Sequence, residues 1–165
     1  TKRGLGKAKK KGASSYSFHI VGRAVDINQN LGGGKGQRYW ISQDPANGNQ
    51  YWRIYCKTDD QTGKQGLKIA KTTKKAYSFV GGKDYDIPEG YYIDLTALIE
   101  STGEFERIKA QSGWQSTYDK SDWWHFQYRF EKQATFHDEC ELVGITEQQL
   151  RTAGYGDADL DHVPG

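Results

Sequence analysis

The chain has 165 residues, enough for one domain that buries roughly two-thirds of its unfolded surface. Only 35% of residues are hydrophobic and mean hydropathy is −0.88, yet 13% are aromatic, which excludes a disordered chain and describes a thin aliphatic core enlarged by rings. No run approaches the ~20 apolar residues of a membrane span, and net charge is only +2 but uneven.

The opening TKRGLGKAKKKG (residues 1–12) is a basic arm with six cations and no acid. Such an arm can bind nucleic acid, anionic lipid or anionic wall polymers, or stay a solvated end. It shows no signal-peptide pattern, which fits a mature or excised piece. FHIVGRAVDI then reads as a loop entering a strand, with Ala24 and Asp26 on one face and Val25 and Ile27 on the other. The glycine-rich LGGGKGQ lacks the ending of a phosphate loop and reads as a connector.

RYWIS and QYWRIY, separated by a turn at Asn47-Gly48, predict a hairpin whose Tyr-Trp dipeptides pack across the strands. GLKIAKT and AYSFVGG predict a second strand pair. In the next segment, IDLTALIESTGE, the residues Leu95, Leu98 and Ile99 form the apolar stripe of a helix stopped at Gly103. FERIKA and WWHFQYRF predict strands, and Thr146 to Gln149 fits a capping box opening a helix that ends near Gly154. The acidic segment 131–165 closes the chain. The expected class is α+β, a single domain with a central antiparallel sheet, a few helices and a cleft. Cys56 and Cys140 permit one disulfide and require none.

Of four histidines, His19 lies seven residues before Asp26, and His125 follows two adjacent tryptophans in DWWHFQ. Two imidazoles and a carboxylate are a ligand set for catalytic zinc, with a fourth position for water. Zinc lowers the pKa of bound water from about 15.7 towards ~7, and a general base must then take the proton. Asp122 is the carboxylate closest to His125 in sequence. Three residues apart on a regular strand the two would face opposite sides, so this assignment requires a turn or bulge across Trp123-Trp124. The alternative for His125 is a hydrogen-bonded core histidine. His137 and His162 sit among acids and read as surface residues. Ser17 and Gln127 are candidates to orient the ligands.

Ser17, His19, Gly22, Ala24 and Asp26 match the pattern Ser-x-His-x-x-Gly-x-Ala-x-Asp, and Asp122-Trp123-Trp124-His125 matches Glu-Trp-Trp-His apart from the acid. Together these blocks resemble the motifs of the zinc D-Ala-D-Ala carboxypeptidase family. That family includes vancomycin-resistance D,D-peptidases, phage endolysin peptidases and, more distantly, the Hedgehog signalling domain. The resemblance covers about residues 13–30 and 91–130.

It implies that His19, Asp26 and His125 bind zinc and that Asp122 is the catalytic base. It also implies an oxyanion-stabilising arginine upstream of the first histidine. Arg3 stands at that offset, and its alternative is one more cation of the basic arm. Two departures stand out. Asp replaces the usual Glu, shortening the base by one C–C bond, about 1.5 Å. The stretch between the motifs is also longer than in compact relatives, which places a hairpin-bearing insertion at about 31–79.

The implied activity is zinc-dependent hydrolysis of D-amino-acid-containing bonds in peptidoglycan stem peptides, as carboxypeptidase or endopeptidase. The implied protein is a monomer that is secreted, periplasmic, wall-associated or delivered within a larger protein. The alternative is a zinc-containing binding or signalling module without turnover. A nucleic-acid binder would leave both histidine-aspartate blocks unexplained.

Overall fold

A computed structural model describes residues 17–27 and 37–162. The described residues form, in chain order, strands β1 (Ala24–Asp26), β2 (Tyr39–Gln43), β3 (Trp52–Lys57), β4 (Leu67–Ile69), β5 (Lys75–Ser78), β6 (Lys83–Asp86) and β7 (Gly90–Asp94). Helix α1 (Leu95–Ser101), strands β8 (Phe105–Arg107) and β9 (His125–Tyr128), and helices α2 (Phe136–Leu142), α3 (Glu147–Thr152) and α4 (Asp157–Leu160) follow. The class is α+β. The strands make three sheets, ordered β1-β9-β8, β2-β3-β7-β4 and β5-β6. No described helix is long and apolar enough to cross a membrane. The basic arm with Arg3, and all of the glycine connector except Gln37, lie outside the described residues. The described parts of Thr1–Asp26 and Gln127–Gly165 form one compact unit and those of Ile27–Phe126 another.

In the Ile27–Phe126 unit the expected first hairpin is the antiparallel pair β2–β3. Asp44 caps a single 3-10 turn, Pro45–Asn47, by accepting the Ala46 N–H at 3.2 Å, and Gly48 closes it at φ 85. Trp40 stands opposite Tyr55 and Ile41 opposite Ile54. Side chains alternate along a strand, so this register sends Trp40 and Tyr55 to one face and Ile41, Trp52 and Ile54 to the other.

Both faces are covered. Trp40 and Tyr55 pack with Ile69, Ala76, Ile87 and Tyr92. Ile41, Trp52 and Ile54 pack with Ala110, Trp114, Trp123, Trp124 and Phe126. The two Tyr-Trp dipeptides therefore serve packing, but their tryptophans serve opposite cores. Trp40 meets Tyr92 edge-on at 5.2 Å and Trp52 meets Trp114 edge-on at 4.8 Å. Such ring pairs add about 0.5–1.5 kcal/mol beyond the area they bury.

Two expectations need correction. The strands in GLKIAKT and AYSFVGG do not pair with each other, because β4 pairs with β7 and β5 with β6. Gly66, at φ 75, shows why β4 can lie against β7: a Cβ there would stand 2.4 Å from the Tyr92 carbonyl oxygen. Alternation identifies a strand, whereas its partner depends on such distant fits. In α1, Leu95 and Ile99 pack inward but Leu98 is 57% exposed. The buried position goes to Thr96, whose hydroxyl accepts the Ile54 N–H at 2.9 Å. Asp94 caps the helix through the Ala97 N–H at 2.9 Å, and Gly103, at φ 74, follows its end.

A polar network ties hairpin, helix and β8 together. Arg107 donates to Asp44 at 2.8 Å, to Glu100 at 2.9 Å and to the Trp52 carbonyl at 2.9 Å. Arg53 reaches Asp94 at 3.0 Å and Asp44 at 3.4 Å. Burial pushes the Asp44 carboxyl up, but hydrogen bonds from Arg107 and Asn47 and the charges of Arg107 and Arg53 outweigh it and hold the group below the usual carboxylate range.

In the other unit the acidic C-terminal segment supplies most of a core. Ile20 and Val21 are buried among Phe136, Cys140, Leu150, Tyr155 and Leu160. The Thr146 capping box forms as expected, opening α3, and Gly154, at φ 95, follows the helix. A second capping box, Thr135 with Asp138, opens α2. Cys56 and Cys140 are both free thiols, and burial, with the neighbouring Glu139 charge, pushes Cys140 up to about 11.

Candidate metal centre

His19 sits in a tight turn rather than on a strand. The Arg23 N–H donates to the Phe18 carbonyl at 2.8 Å and the Ile20 N–H to the Ser17 carbonyl at 2.8 Å, which folds the chain back before β1. Gly22 takes φ 73 in this turn, a conformation that disfavours any Cβ although none of the described residues lies within 4 Å of where one would be. The motif glycine thus answers to backbone conformation, not to space. Ile20 and Val21, buried at 4% and 5% exposure, hold the turn from below. The result places His19 Nε2 3.1 Å from Asp26 Oδ1.

His125 opens β9, which neighbours β1 in one sheet. The Ile27 N–H donates to the Trp124 carbonyl at 2.9 Å and the Tyr128 N–H to the Arg23 carbonyl at 2.7 Å. In an antiparallel ladder the second bond sets Ala24 opposite Gln127.

One ligand atom each from His19, Asp26 and His125 lies within 4.8 Å of the others, and this is the one such group among the described residues. Ligand atoms bound to tetrahedral zinc at ~2.0–2.2 Å lie about 3.4 Å apart. The His19–Asp26 separation already suits one edge of such a site. The donor set, two imidazoles and one carboxylate, is borderline in softness and fits zinc better than calcium or magnesium, which prefer oxygen alone.

Asp122 and His125 are not joined by strand. Asp122 ends a short 3-10 turn, Tyr118–Ser121, at φ 48, and the His125 N–H donates to the Asp122 carbonyl at 3.1 Å. A four-residue turn of this kind keeps its end Cα atoms within about 7 Å. The turn required across Trp123-Trp124 is therefore present. The two tryptophans are its anchors, 3% and 2% exposed. Trp123 donates to the Tyr118 hydroxyl at 3.0 Å and meets Trp124 edge-on at 5.4 Å. The Asp122 carboxylate accepts the Gln111 side-chain amide at 2.8 Å.

The other candidates fall elsewhere. The Ser17 hydroxyl accepts the His19 backbone N–H at 3.4 Å. His137 lies 3.3 Å from Glu141, one helical turn on, and the His162 carbonyl caps Phe136 at 2.8 Å. Arg3 lies outside the described residues.

Two contributions were invisible in the sequence. Arg23, inside the first motif, forms a buried ion pair with Glu139 and donates to the carbonyls of Phe130 at 2.6 Å and Glu131 at 2.7 Å. Gln111 stands in a loop, residues 109–115, that borders an open groove of about 300 Å³ together with Gln50. Neither partnership has a local pattern, because the partner lies 116 residues away in one case and 11 in the other. No family model, curated protein or solved structure matches the chain.

Proposed function

We propose that the protein is a zinc-dependent peptidase that hydrolyses D-amino-acid-containing bonds of peptidoglycan stem peptides. The observation that carries the reading is the convergence of His19, Asp26 and His125 ligand atoms within 4.8 Å, in the positions that match both family motifs. His19, Asp26 and His125 would hold the ion. When bound, zinc lowers the pKa of its water towards ~7 and polarises a carbonyl. Asp122 takes the proton of the attacking water and returns it to the leaving amine. The tight turn supports this role, since it keeps the backbone of Asp122 within about 7 Å of His125. In this reading Arg3 stabilises the developing oxyanion. Action at or outside the cell wall follows from the substrate.

The test is mass spectrometry of fragments from defined stem peptides, with and without chelator, beside calorimetric zinc titration. Zinc-dependent cleavage, abolished by Asp122→Ala while zinc still binds, is the expected outcome. Zinc binding at His19, Asp26 and His125 with no cleavage would replace the reading with a module that binds without turnover. Absence of zinc binding would overturn both.

A further inference from the structure

The backbone on either side of Asp122 is anchored. The buried Trp52 indole donates to the Ser121 carbonyl at 3.0 Å, the Gln111 N–H donates to the Lys120 carbonyl at 2.8 Å, and the two following tryptophans are buried. Asp122 itself takes φ 48, a left-handed conformation that Asp tolerates and that persists where the surroundings impose it. Backbone constraint leaves the carboxylate one freedom, rotation about its own side-chain bonds. The Gln111 amide acts on that rotation, donating to Oδ2 at 2.8 Å.

Gln111 is itself a fixed point. Its carbonyl accepts the Trp114 N–H at 3.2 Å, and the preceding residue, Ala110, donates to the Gln50 carbonyl at 2.8 Å. Trp114 is 7% exposed and Ala110 6%. The loop is thus pinned on both sides of the side chain that donates to Asp122.

We propose that Gln111 is a positioning residue, whose side-chain amide holds the Asp122 carboxylate in the orientation used for proton transfer. The inference rests on the peptidase reading. It follows from the chemistry of the short base: a carboxylate one carbon shorter has less latitude to find the attacking water. Misplacement by about 1 Å can cost 100-fold in rate. A carboxylate only accepts, so the amide nitrogen is the group that does the holding.

Steady-state kinetics on a defined stem peptide, with zinc present, test the proposal. Gln111→Ala lowers kcat about 10- to 100-fold, the change expected for losing a hydrogen bond to a charged group, and leaves KM unchanged. Gln111→Glu keeps the shape but cannot donate, and falls as far. On an Asp122→Asn background, Gln111→Ala adds less than about twofold, because residues acting as a unit are not additive.

A measurement independent of turnover accompanies these. The Gln111 side-chain amide resonances of the full chain shift in Asp122→Asn, and the urea midpoint of Gln111→Ala stays at the wild-type value. A kcat within twofold of wild type for Gln111→Ala, or an undiminished effect on the Asp122→Asn background, overturns the positioning role alone. Amide resonances unmoved by Asp122→Asn do the same. A wild-type chain that cleaves no stem peptide overturns the peptidase reading and the positioning role with it.

Discussion

Replacing Arg23 by alanine should be among the most damaging single changes outside the metal ligands. Its side chain is only 12% exposed and that of Glu139 1%. Removing it deletes the ion pair, the donors to the Phe130 and Glu131 carbonyls, and the cation over the Tyr128 ring. Glu139 keeps the Gln133 N–H at 2.8 Å but no longer has a counter-charge in a site closed to water. Breaking a buried pair from one side costs about 3–5 kcal/mol, more than the pair itself contributes, because a buried charge is left uncompensated. Urea denaturation of wild type and Arg23→Ala at one pH reads this directly. Arg23→Lys should recover only part, since a single ammonium cannot reproduce the planar fork that serves three acceptors. The double change Arg23→Met with Glu139→Leu should recover most of the loss by removing both charges. A single-variant loss under about 1 kcal/mol would refute the reasoning, and so would a double variant as unstable as Arg23→Ala.

The Asp44 network predicts acid sensitivity of the Ile27–Phe126 unit. Because the folded carboxyl titrates below its unfolded value of about 3.9, its stabilisation is complete above that value and is lost as pH falls through the lower, folded one. Urea midpoints from pH 6 down to pH 2 should fall more steeply for wild type than for Asp44→Asn, and parallel curves would count against the network. Ser121 gives a prediction of opposite sign. Its hydroxyl is fully buried with no hydrogen-bond partner among the described residues, so Ser121→Ala should be neutral or stabilise by up to about 1–3 kcal/mol. A clear loss in the same denaturation assay would mean the hydroxyl is satisfied.

Local patterns made much of the fold legible. The hairpin at Asn47-Gly48, the helix stopped at Gly103 and the capping box at Thr146 each depend on residues a few positions apart, and each is present. The partners of β4 and β5 were not legible, because alternation fixes which way side chains point but not which strand lies alongside. Leu98 was misjudged for a related reason: apolar spacing cannot anticipate that a threonine hydroxyl is needed to satisfy the Ile54 N–H. The strand expected after the two tryptophans begins only at His125, where the turn from Asp122 ends.

The amino-acid sequence alone determined the residue types at the candidate centre, the α+β class and the aromatic character of the core, since composition and short-range spacing carry those. Tertiary structure decided the rest. The gathering of ligand atoms from His19, Asp26 and His125 is a matter of the folded chain, and the approach of His19 to Asp26 depends on a turn whose buried residues rest on C-terminal helices more than a hundred positions away. Arg23 and Gln111 acquire their roles in the same way. Such pairings arise from which distant surfaces can close without unpaired polar groups or voids, and that is a property of the whole packed chain rather than of any segment within it.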